Sequence, residues 1–120
     1  MLRVILRAQA AFYVLTGLWP LLSLRTFELV TGPKTDDWLV HMVGLLAAAI
    51  GVTLWTGARA ARPVGAVVLL AAASAASFAA IDLTYALRGR ISAVYLLDAA
   101  VELGLLLALA VGWLRMRRDG

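Results

Sequence analysis

Asp82, Asp98 and Glu102 are carboxylates placed inside stretches that are otherwise apolar enough to cross a membrane. Each acid costs roughly 2.5 to 3.5 kcal/mol near the centre of such a helix, so residues of this kind face a bundle interior rather than lipid. Tyr95, Asp98 and Glu102 follow at spacings of three and four, which stacks them on one helical face. Asp82 and Tyr85, three apart, share a face of the preceding stretch. A carboxyl group crowded by others and removed from water tends to keep its proton, and can then donate it or hold a hydroxyl or amine. The candidate acid/base or cation-holding residues are Asp98, Glu102, Asp82 and His41. The single histidine, about one turn into the second apolar stretch, reads more readily as an ordinary hydrogen-bond partner than as a ligand or acid/base. Tyr95, Tyr85, Tyr13, Arg25 and Trp19 are candidates for orienting a bound molecule. The competing reading is that the acids only join helices, through Tyr13, Tyr85, Tyr95, His41 or Arg25. Three acids against one histidine and one arginine are more negative charge than joining requires.

The elements that must carry these residues are long apolar runs. Of the 120 residues 63% are hydrophobic and 15% charged, against roughly 45 to 50% apolar content in soluble domains. Four runs stand out, at about 4–24, 38–56, 63–87 and 91–114, each longer than the ~18 residues that span ~30 Å of hydrocarbon at ~1.5 Å per residue. The expected fold is all-α: one domain, 1–120, folded as an integral membrane four-helix bundle. The connections have thirteen, six and three residues, which leaves no room for an extramembrane domain. The first run reads as a retained helix rather than a secretory signal, because Arg7 falls where the apolar core of a signal would begin and no Ala-x-Ala-like site follows near Leu24. There is no cysteine, which excludes disulfides, thiol catalysis, thiolate metal sites and haem attachment through Cys. No cofactor and no metal site is expected.

Basic residues set the orientation. Arg3, Arg7, Arg59, Arg62, Arg115, Arg117 and Arg118 fall on the side of the termini, and Arg25, Lys34, Arg88 and Arg90 on the other. This favours both termini in the cytoplasm and location in the inner membrane. A net charge of +4, carried in twos and threes at helix ends, suits anionic headgroups; nucleic acid is not an expected partner.

Gln9, Tyr13, Thr16 and Pro20 share one face of the first span, where Pro20 should kink the helix. Between spans, Phe27, Leu29 and Val30 suit the headgroup boundary, Thr31 to Lys34 reads as a tight turn, and Asp36 or Asp37 should cap the second span. Gly44, Ala48 and Gly51 form a small-residue stripe for close helix contact. Ala71, Ala75 and Ala79 on one line and Ala72, Ala76 and Ala80 on another suit the third span to the middle of the bundle. Ala100, Gly104, Ala108 and Gly112 recur every four residues on the fourth span, a packing surface within the bundle or for a second copy. With Ile91 as the outer boundary, Asp98 lies ~10 Å and Glu102 ~16 Å deep, which predicts an outer-half cavity shared with Asp82 and His41.

The stretch Val43-Gly44-Leu45-Leu46 through Gly51-Val52-Thr53-Leu54, followed by Arg59-Ala60-Ala61-Arg62 and an alanine-rich helix, resembles the second and third helices of the small DoxX-like membrane proteins. The resemblance covers about half the chain and implies a four-helix fold and little about activity. The bundle with its histidine and carboxylates is also similar in architecture, though not position by position, to EXPERA-type sterol isomerases and receptors. Together these features point to a pocket that binds, and can transform, a small lipophilic molecule; whether a reaction occurs is open. Two alternatives stand beside it. One is a proton-coupled transporter acting as a homodimer, although small multidrug transporters carry their glutamate in the first helix, where this chain has no acid. The other is a non-catalytic assembly or chaperone subunit, with Gly104, Ala108 and Gly112 as the contact to its partner.

Overall fold

The computed structural model describes residues 1–119 and is all-helical. Four helices are long and apolar enough to cross a membrane: α1 (Leu2–Leu22), α3 (Asp37–Gly57), α4 (Gly65–Leu87) and α5 (Tyr95–Asp119). A fifth, α2 (Leu24–Thr31), occupies most of what reads in the sequence as an irregular connection. Its start is local chemistry. Ser23 breaks α1 with an extended backbone and turns its hydroxyl to the Thr26 N–H, and the Trp19 indole N–H donates to the Thr26 hydroxyl at 3.0 Å. Gly32, at φ +98°, stops α2 in a conformation that favours glycine. Pro20 falls in the last turn of α1, so it precedes the helix end rather than interrupting the middle. Asp36 takes the N-cap position of α3 without a side-chain capping bond, and Asp37 adds a carboxylate to the first turn, at the positive end of the dipole.

The long helices associate as two pairs, α1 along α3 and α4 along α5, and α1 also touches α2, α4 and α5. The first pair is held backbone to backbone. A Cβ at Gly17 would stand 2.5 Å from the Gly44 carbonyl oxygen and 2.8 Å from the Ala48 N, and one at Gly51 would stand 2.8 Å from the Ala10 carbonyl oxygen. The stripe on α3 thus performs the close contact its spacing predicts, against Gly17 and Ala10. The core continues along α1 through Leu2, Leu6, Ala10 and Tyr13 to Leu54, Val68, Ala71 and Leu109.

Three expectations need correction. The helix at the centre is α1, not the alanine-rich one: Ala71, Ala75 and Ala79 of α4 are buried, but Ala76 and Ala80 are exposed and Ala72 half-buried. The ladder on α5 is not one surface. Gly112 packs on Leu2, Met1 and Ile5, whereas Gly104 is exposed, with open space where a Cβ would stand. Finally, α5 begins at Tyr95 rather than Ile91, because residues before it close into successive turns around Ser92, whose hydroxyl accepts the Val94 N–H. Asp98 therefore occupies the first turn and Glu102 lies only ~10 Å along the helix.

Candidate functional site

The seam between the two helix pairs carries the polar residues. From α1, Gln9 and Tyr13 project into it four residues apart; from α4 comes Asp82, and from α5 come Asp98 and Glu102. Glu102 is 1% exposed and accepts a hydrogen bond from the Tyr13 hydroxyl at 2.6 Å. That length is typical of a hydroxyl donating to a carboxylate. The Tyr13 ring is held edge-on by Phe78 of α4, with centroids 5.3 Å apart. Gln9 donates its amide N–H to the Ala71 carbonyl of α4 at 2.9 Å, and its Oε1 is buried without a hydrogen-bond partner. Two side-chain bonds from α1 thus cross the seam, one to each helix of the second pair.

Asp82 neighbours Asp98, and both lie close enough to Glu102 for their charges to interact. Two ionised carboxylates cannot donate to each other, so this pair closes only around a shared proton or a donor from outside. Asp82 is 5% exposed, and its Oδ2 is buried without a hydrogen-bond partner. Among the described residues, none of the three acids hydrogen-bonds to a basic side chain. Asp98 is the half-exposed member and forms the edge of the cluster. Its place in the first turn of α5 sets its charge against the positive end of that helix dipole.

The spacing of three and four on α5 therefore does bring Asp98 and Glu102 together, and Asp82 joins them. Tyr13 belongs to the cluster directly. Tyr95 is half-buried one turn before Asp98, with the Lys34 ammonium 5.2 Å from its ring centroid. Lys34 is itself tied to the end of α2, donating to the Gly32 carbonyl at 2.8 Å and the Thr31 carbonyl at 3.1 Å. The other candidates form no hydrogen bond with the three acids among the described residues. His41 is half-buried on α3 and makes no side-chain hydrogen bond among the described residues, and Tyr85 lies exposed at the end of α4. Trp19 packs edge-on against Phe27 at 5.3 Å. Arg25 is exposed on α2 and lines a shallow recess with Glu28 and Pro33. Two recesses lie at opposite ends of the bundle, and neither is lined by Asp82, Asp98 or Glu102. Tyr13 and Glu102 meet in a closed polar contact within the seam.

Gln9 and Lys34 were not among the sequence candidates. The signal for Gln9 was its place on the Tyr13 face of an apolar helix; Lys34 had none, because its role depends on the fold of α2. Compared with protein-family models, curated proteins and solved structures, the chain shows no match.

Proposed function

We propose that the protein is an integral membrane protein whose helix seam binds a small lipophilic molecule with one basic or hydroxylic end. One observation carries the reading. The buried Asp82 Oδ2 has no hydrogen-bond partner, and a second carboxyl group stands beside it. A protonated amine or a hydroxyl arriving from the bilayer would supply the missing donor, and half-exposed Asp98 is its point of entry. Tyr13 and Gln9 hold Glu102 and the seam in place behind it. The apolar remainder of the molecule would lie between the two helix pairs, as in ligand sites between the helices of bundles. Any chemistry is proton transfer to or from that polar end. The DoxX-like resemblance fits this architecture and adds no substrate.

Native mass spectrometry of the gently purified protein tests the proposal. A bound apolar molecule should survive in the wild type and be lost in Asp98→Asn and Glu102→Gln, with helix content unchanged. Equal retention in all three would place the molecule elsewhere. Orientation is a separate part of the proposal. Both termini face the cytoplasm of an inner membrane, so cysteines at Lys34 and Arg59, beyond opposite ends of α3, should label from outside and inside respectively.

A second reading, a membrane assembly subunit, is favoured by the open Gly104 surface alone. A second copy of the chain, packed there through Gly104 and Ala108, would cover it.

A further inference from the structure

At the end of the bundle that gathers both termini, a recess forms between the start of α1, the α3–α4 connection and the last turns of α5. Arg3, Arg62 and Arg115 line it. Each guanidinium is steered by a contact to a neighbouring segment. The Arg3 Nε–H donates to the Ala58 carbonyl at 2.9 Å, an Arg62 Nη2–H donates to the Met116 carbonyl at 3.3 Å, and Arg115 Nη1 lies 3.6 Å from the Met1 sulfur. These bonds hold the planes of the forks and leave most of their donors unused. Leu2, Pro63 and Gly112 supply a buried apolar floor beneath the charged rim. Asp119, exposed, is the one carboxylate side chain in the lining. Across this whole end seven arginines face that single acid, whereas the opposite end mixes Arg25, Lys34, Arg88 and Arg90 with Glu28, Asp36 and Asp37.

We propose that this recess is a binding site for the phosphate of an anionic phospholipid, whose glycerol and first methylenes rest on the apolar floor. Arginine forks match phosphate oxygens in pairs, and a basic pocket between membrane helices at the interface is suited to such headgroups. A structural role limited to the carbonyl bonds of Arg3 and Arg62 at helix ends would need neither Arg115 nor a floor.

The test is native mass spectrometry of the full chain in mild detergent with phosphatidylglycerol, phosphatidylcholine or inorganic phosphate added. Phosphatidylglycerol should be retained at least about tenfold better than phosphatidylcholine. The double variant Arg62→Gln/Arg115→Gln should lose roughly ten- to thirtyfold of that retention, the scale of about one step per basic residue near an anionic surface. The matched Arg88→Gln/Arg90→Gln at the opposite end should lose none. Asp119→Asn removes the competing carboxylate at an exposed position and should raise retention, which decides the matter even if the arginine variant does not fold. Equal retention of the two lipids, or no response to either the arginine or the Asp119 change, would overturn the proposal. Binding of inorganic phosphate as strong as that of phosphatidylglycerol would overturn the lipid as ligand.

Discussion

The two contacts that α1 makes are built on opposite principles. Against α3 it uses absence: Gly17 and Gly44 have no side chains, and the two backbones meet. Against α4 and α5 it uses Gln9 and Tyr13, whose polar groups find the Ala71 carbonyl and Glu102. In a membrane, where lipid is as apolar as leucine, the first mode gains dispersion and the second gains hydrogen bonds. The difference between them is how each responds to change. A backbone contact has no alternative arrangement, whereas a seam of carboxyls and a phenol can exchange a proton or a partner without moving a helix.

The largest effect should therefore come from the glycine contact. Gly44→Leu would drive a side chain into the backbone of Gly17 and against Pro20, where nothing can give, and should destabilise the fold by about 3 kcal/mol or more. Denaturation followed by circular dichroism in detergent measures it. A loss below about 1 kcal/mol would mean that the pair is less tightly joined than its geometry requires.

Next come the bonds across the seam. Glu102→Leu leaves the buried Tyr13 hydroxyl without its acceptor, at a cost of about 1 to 3 kcal/mol. Tyr13→Phe alone should cost less, and the double variant Tyr13→Phe/Glu102→Leu should recover part of the loss, because neither partner of this bond is then left unpaired. The coupling energy of this double-mutant cycle reports the bond itself.

Asp82→Asn should be nearly neutral for stability, within about 0.5 kcal/mol, since the new amide can donate to the neighbouring Asp98 in place of a proton shared between two acids. The same variant should lose the bound molecule. Near-neutral stability with lost binding separates a site, which stability is given up to maintain, from a joint between helices; a destabilisation above about 1.5 kcal/mol would make Asp82 a joint.

How far the sequence foretells this comparison depends on whether one helix or two are involved. The four spans follow from apolar length, and the stacking of Asp98 over Glu102 follows from spacing on a single helix. Which helix that face meets is a property of two sequences at once, so Tyr13 could be named as a polar residue of the first span without being assigned to Glu102. The helix α2 was obscured because eight residues of mixed polarity, Leu24–Thr31, have no apolar run, although Ser23 and Thr26 carried the capping signal. Lys34 owes its position over Tyr95 to that helix and was hidden with it. The start of α5 moved for a similar reason: Ile91 and Val94 are apolar, but turns centred on Ser92 precede the helix.

Gly44 and Gly104 sharpen the point, because each belongs to a ladder of small residues and the two ladders look alike in sequence. Only Gly44 has a glycine opposite it, on α1; Gly104 faces open space. Gly104→Leu should accordingly change the stability of the single chain by no more than about 0.5 kcal/mol, the range of substitutions that touch nothing. This is the smallest effect expected. Its value lies in a second readout, the oligomeric state by native mass spectrometry or cross-linking in detergent. If wild type and variant are both monomers, the ladder is a lipid-facing surface. If the wild type is a dimer that Gly104→Leu dissociates while each chain keeps its stability, the contact that α1 and α3 make within one chain is made again by α5 between two.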